Sequence, residues 1–127
     1  MTKSETSMPK HATPCNLEDR TAVFGESVIA FARRIPLSPV TVPLIDQLVR
    51  SATSIGANYS EADDAESKKD FRHKIGICRK ESKEAKHWLR MVAAAEESLK
   101  PEEIVLYKVA MELNLIFGAI RRSCASD

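Results

Sequence analysis

Apolar residues recur along the chain at steps of three and four, the spacing of one helical face, in four blocks separated by proline-bearing or polar connections. The first block is Leu17, Phe24, Val28, Phe31, Ala32 and Ile35. Asn16 stands before it as an N-cap, with Glu18 and Asp19 in the first turn where the helix dipole favours carboxylates. Pro36, Pro39 and Pro43 then bracket a short connection, because the proline ring and its missing N–H stop a helix. The second block is Leu44, Leu48, Ala52, Ile55, Tyr59 and Ala62, with Thr41 as its predicted cap and Pro43 tolerated in the first turn. It holds a run of small residues, Ser51 to Ser54, then Gly56 and Ala57. A glycine inside a helix costs about 1 kcal/mol relative to alanine, so Gly56 predicts a close approach by another helix.

Ser67-Lys68-Lys69-Asp70 has the form of a capping box, with aspartate in place of the usual glutamate or glutamine. The third helix runs from there to about Glu97. Its seam, Phe71, Ile75, Cys78, Ser82, Ala85, Leu89 and Val92, alternates steps of four and three over three heptads, the periodicity of a bundle. Pro101 suits the first turn of a fourth helix, with Glu102 and Glu103 behind it and Arg121 and Arg122 complementing the dipole at its far end. That helix is apolar over a wide arc, from Ile104, Val105 and Leu106 to Leu115, Ile116, Phe117 and Ile120, more than one wet face requires.

Four long helices with short connections predict an all-α fold, an up-down-up-down antiparallel four-helix bundle. Its expected limits are residues 16–122, between a disordered N-terminal tail (1–15) and a short C-terminal tail (123–127). A chain of 127 residues is long enough for one core of this kind and short for two. No stretch has the apolar run of a signal peptide or the length of a membrane span. Three widely spaced cysteines, Cys15, Cys78 and Cys124, fit a reducing compartment and no disulfide framework or zinc site. The expected setting is cytoplasmic, with no membrane partner.

The formal net charge of +1 conceals a concentration of positive charge. Residues 68–90 carry nine basic and three acidic side chains, while the segments on either side are net acidic. On a heptad wheel of the third helix, Lys69, Arg72, Gly76, Arg79, Lys83, Lys86 and Arg90 share one flank of the seam. This flank has two readings. It is a solvated face partly paired with acids such as Glu61, Asp63, Asp64 and Glu66, or a stripe that contacts nucleic-acid phosphates through Lys69, Arg72, Arg79, Lys83, Lys86 and Arg90. Gly76 in its middle removes bulk where a backbone could approach. The opposite flank holds Ile77, Trp88 and Met91, which read either as ordinary overlap with the core or as an oligomer interface, the reading that the surplus apolar surface of helix 4 favours.

The sequence carries no complete pattern for catalytic or cofactor chemistry. Glu84-Ala-Lys-His87 matches the E-x-x-H pattern of di-iron bundles, but such sites need two copies and two further carboxylates turned inward. Here His87 lies on the back of the wheel, so no metal or cofactor is expected. No phosphate-cradling glycine loop and no nucleophile–base pair at informative spacing is present. Cys78, on the core seam, reads as a small buried apolar residue. The sequence therefore points away from an enzyme.

Residues 47–91, QLVRSATSIGANYSEADDAESKKDFRHKIGICRKESKEAKHWLRM, resemble the bacterial four-helix bundle family named for proteins encoded in intervening sequences of 23S ribosomal RNA genes. The matching elements are the run from Arg50 to Asn58, Glu61, Lys69-Asp70-Phe71, Lys80-Glu81, Glu84 and Trp88-Leu89, and a looser likeness extends from about Leu17 to Ile120. The resemblance implies a ring-like homopentamer. It also implies kinship with the accessory protein of diversity-generating retroelements, a basic pentamer that engages a reverse transcriptase and nucleic acid. It supplies no catalytic residues. Two functions follow as expectations: a non-enzymatic, oligomeric, nucleic-acid-associated module with RNA, DNA or a reverse transcriptase as partner, or a protein–protein scaffold without direct nucleic-acid contact.

Overall fold

The computed structural model describes residues 16–124, so the tail expected over residues 1–15 and most of that over 123–127 lie outside it. Four helices follow in order: α1 (Leu17–Ala32), α2 (Thr41–Asp63), α3 (Lys68–Ala95) and α4 (Lys100–Ser123). A single 3-10 turn, Glu97–Leu99, links the last two. There is no strand among the described residues, and no described helix is long and apolar enough to cross a membrane. The fold is all-α.

The helix starts follow from local hydrogen bonding. Asn16 Oδ1 accepts from the Asp19 N–H at 3.4 Å, and Ser67 Oγ accepts from the Asp70 N–H at 3.0 Å. Each hydroxyl or amide oxygen thereby satisfies one of the N–H groups that a helix start leaves without a partner. The start of α2 departs from expectation. Thr41 is the first helical residue, and Ser38 does the capping: its Oγ accepts from the Val40 and Thr41 N–H groups at 3.2 and 3.1 Å. Thr41 Oγ1 instead accepts from the Ser38 N–H and donates to Pro36 O, closing the proline turn on itself.

Contacts between helices pair them antiparallel. Gly25 lies against Ala52 and Thr53, and Gly56 against Thr21, so α1 and α2 run in opposite directions. The Glu61–Lys74 ion pair and the Cys78 S–H to Ile55 O hydrogen bond do the same for α2 and α3. Asn114 Nδ2 donates to Arg79 O, and Gly76 meets Arg121, which sets α4 against α3. The bundle closes through ion pairs to α4 at its surface, Arg20–Glu112 from α1 and Arg34–Glu102 from the turn that follows α1. Exposed pairs of this kind contribute about 0–1 kcal/mol each, so apolar burial holds the bundle together.

That burial is the one the periodicity predicts. Ile75, Cys78, Ser82, Ala85, Leu89 and Val92 of the α3 seam are all fully buried, with Phe71 half-buried at the helix start. Phe24, Val28 and Phe31 of α1, Leu48 and Ile55 of α2 and Leu113 and Phe117 of α4 complete the core. Gly56 sits where expected: a Cβ there would lie 3.4 Å from Thr21 Oγ1 and 3.6 Å from the Thr21 backbone. Thr21 turns its hydroxyl to Leu17 O at 2.8 Å, which removes an unpaired donor from this tight contact. Burial pushes the Cys78 thiol up to about 12, so it stays protonated and inert at neutral pH.

The α1–α4 seam is the thin one. A groove of about 460 Å³ opens there, floored by Val23, Phe24, Leu106 and Val109 and bridged by Arg20 and Glu112. The apolar surplus of α4 faces solvent: Ile104 (41%), Val105 (62%), Met111 (40%) and Leu115 (64%) are exposed. Ile104, Met111 and Leu115 recur at steps of seven and four and so form one stripe along the helix.

Candidate nucleic-acid interface

α3 positions the basic flank. Its seam is locked in the core, so the residues about one hundred degrees around the helix have one place to go, alongside α4. Lys69, Arg72, Arg79, Lys83 and Arg90 are exposed and Lys86 is half-buried. The stripe covers 22 residues from Lys69 to Arg90, about 30 Å at 1.5 Å per residue. Gly76, in its middle, leaves room for a side chain of α4 and not for a ligand backbone: a Cβ there would lie 2.9 Å from Arg121 Nε.

None of the six basic residues has a carboxylate within ion-pair distance among the described residues. Glu61, one acid considered as a partner for this flank, pairs instead with Lys74 on the opposite side of α3, at 2.6 Å. That bond is the main cause that raises the Lys74 pKa. Two members of the stripe do have company. Lys86 Nζ stands 5.8 Å from the centre of the Tyr107 ring, a cation–π distance. Arg90 lines a cleft with Glu97, Lys100 and Glu103. Burial raises the Glu103 pKa, and the Lys100 and Arg90 charges oppose that rise, so the Arg90 end of the stripe is partly neutralised.

α4 adds charge that a wheel of α3 alone misses. Arg121 and Arg122, read in the sequence only as complements of a helix dipole, meet Arg72 and Arg79 around a cleft of about 290 Å³ floored by Gly118. The signal for this lies in glycines on facing helices. Gly76 accepts the Arg121 side chain, and Gly118 accepts Arg79 Cδ and Arg122 Nη1 at 3.6 and 3.4 Å from where its Cβ would be. Asn114 ties the arrangement down by donating to Arg79 O at 2.8 Å and Ser82 Oγ at 3.3 Å.

The other flank faces α2. Ile77, Trp88 and Met91 are half-buried, and Trp88 packs on the core and takes the His87 ring edge-on at 4.8 Å. Glu81 is half-buried on this flank, within electrostatic reach of Ser54 and Arg50 of α2. Its pKa is raised, by burial first and then by Glu84. His87, the histidine of the E-x-x-H run, is exposed, and no group of three His, Cys, Asp or Glu is gathered among the described residues.

The residues that carry the family resemblance are largely packing residues. Ser51, Ala52 and Gly56 allow α2 to lie close to its neighbours, Asn58 donates to Ser54 O, Glu61 bridges to α3, and Leu89 is core. A motif of this kind specifies a bundle and names no chemistry.

Comparisons with known proteins agree with that. Residues 19–116 match the model of a family described as 23S rRNA-intervening sequence protein. A crystal structure from Bacteroides thetaiotaomicron VPI-5482, a protein of unknown function from the S23 ribosomal protein family, superposes with a TM-score of 0.72 at 27% identity, over 83% of this chain and 97% of that one. No curated protein matches the chain. With four helices and a family match that covers residues 19–116, the chain belongs to the 23S rRNA-intervening sequence protein family.

Proposed function

We propose that the protein is a non-enzymatic accessory module of the cytoplasm that contacts nucleic-acid backbones through the basic flank of α3. The carrying observation is six basic side chains, Lys69, Arg72, Arg79, Lys83, Lys86 and Arg90, along about 30 Å of one helix with no ion-paired carboxylate among the described residues. A solvated face that served only solubility would mix signs. Contacts made by such side chains go to phosphates, so binding is insensitive to base sequence. The module works as a homo-oligomer, for which the exposed α4 stripe supplies apolar surface. Repetition of the basic flank around a ring, a pentamer by the family likeness, adds weak contacts through multivalency.

Binding to mixed-sequence RNA or DNA, measured across salt concentrations, tests this reading. Phosphate contacts release counterions, so affinity falls steeply as salt rises. A flat, weak response would remove the reading. The exposed Ile104, Val105, Met111 and Leu115 support a second one, an oligomeric scaffold that meets protein partners, a reverse transcriptase among them, without touching nucleic acid. That reading predicts self-association with no salt-sensitive nucleic-acid binding.

A further inference from the structure

Four arginines line the cleft between the N-terminal half of α3 and the C-terminal end of α4. Arg72 and Arg79 come from one helix and Arg121 and Arg122 from the other. None has a carboxylate within ion-pair distance among the described residues. Like charges brought together in this way repel, and the cost persists unless an anion offsets it. Two helical glycines shape the site. Gly76 and Gly118 each forgo the helix stability of an alanine, and the space each leaves is filled by an arginine stem of the cleft. Arg121 is held so close to Gly76 that its Nε is buried with no acceptor. A buried donor without a partner is a standing cost to the free protein. A ligand oxygen that draws the Arg121 side chain outward gives that donor an acceptor. All four groups are arginines, whose planar forks match the oxygens of a phosphate in paired hydrogen bonds, where lysine offers a point charge.

We propose that this cleft binds one phosphate group per protomer through Arg72, Arg79, Arg121 and Arg122. The site stands on its own geometry, and rests on the function proposed above only for the source of the phosphate, a nucleic-acid strand. Asn114 is a positioning residue, since it fixes the α3 backbone at Arg79.

The test is a titration of the full chain with inorganic phosphate, by phosphorus NMR or calorimetry, against chloride at equal ionic strength. The expected result is saturable binding at one phosphate per protomer. The doubly substituted Arg79→Gln/Arg122→Gln chain should lose about tenfold or more in affinity, since each lost charged hydrogen bond is worth roughly a factor of ten. Both arginines are exposed, so helicity by circular dichroism stays at the parent's level. Lys108→Glu, exposed on α4 and outside the lining of the cleft, should leave phosphate binding unchanged. Parent binding no stronger than chloride's, or equal binding by the Arg79→Gln/Arg122→Gln chain, overturns the proposal. Displacement of the phosphate by a 5′-hydroxyl oligonucleotide assigns the source to the backbone. Displacement only by a 5′-phosphorylated one assigns it to a strand end. If phosphate binds and no oligonucleotide displaces it, the cleft stands, its ligand is a small phosphate compound, and the nucleic-acid reading fails. If phosphate does not bind while oligonucleotide binding stays salt-sensitive and is weakened by Lys83→Glu/Lys86→Glu, the cleft proposal fails and the nucleic-acid reading stands.

Discussion

Glu103 sits in the first turn of α4 with only 4% of its surface exposed, an unusual place for a carboxylate. Burial raises its pKa above the ordinary 4.5, against the pull of Lys100 and Arg90. A raised pKa means that the folded protein holds the proton more tightly than the unfolded chain. The group therefore favours folding below its unfolded pKa, and that contribution is lost as pH rises through the folded value. At pH 7 the ionised carboxylate is a cost, so Glu103→Gln should raise the melting temperature modestly at pH 7, with the gain gone below pH 4. Thermal melts of both chains at the two pH values check it. The heptad pattern could not show this residue as buried, because it places Glu103 by charge in a favourable first turn and says nothing of the α3 residues beside it. The partner of Gly76 was equally hidden: Arg121 lies 45 positions further along, and a wheel drawn for one helix gives an angle without naming the neighbour at that angle.

Among the helices, α3 was the most legible. A seam with steps of four and three has one solution once a core exists, and every position from Ile75 to Val92 on that seam is buried. Starts and stops were read where a single side chain sets them, as at Asn16 and Ser67, and misread where two residues share the work. At α2 the proline turn uses Ser38 as the cap and Thr41 as a brace, a division that composition alone leaves open. Ser67→Ala should cost about 1 kcal/mol by removing the acceptor for the Asp70 N–H. At the α1–α2 contact the smallness of Gly56 is what matters. Gly56→Leu would drive a side chain into Thr21 and should cost about 1–3 kcal/mol, the range for overpacking a tight contact. Urea unfolding of the two variants against the parent measures both.

Seen as one body, the molecule has a basic flank on the α3 side of α4 and an apolar stripe of Ile104, Met111 and Leu115 along α4 itself. Trp88, on the opposite flank, is half-buried against the core, so truncating it would disturb the protomer along with any assembly. Leu115→Glu is the cleaner probe of self-association, because Leu115 is 64% exposed and supports nothing within the protomer core. Light scattering should give an oligomer for the parent and a lower mass for Leu115→Glu, with helicity unchanged. A parent that scatters as a 14.1 kDa monomer at micromolar concentration would contradict the oligomeric part of the account. The family was legible from the Arg50–Asn58 run and the residues after it, and the structure explains why that run says so little about activity: its members pack helices together.

On the proposed function, the basic flank of α3 meets phosphates. The most direct test compares single-stranded RNA binding by the parent and by Lys83→Glu/Lys86→Glu as salt is raised. Six phosphate contacts per protomer give a slope of log affinity against log salt near −4, at about −0.7 per contact on single strands. The double substitution should lower affinity for every sequence tested and flatten that slope by at least ~1, while circular dichroism and oligomer mass stay unchanged. A double variant that binds as the parent does, with the same slope, would contradict the account.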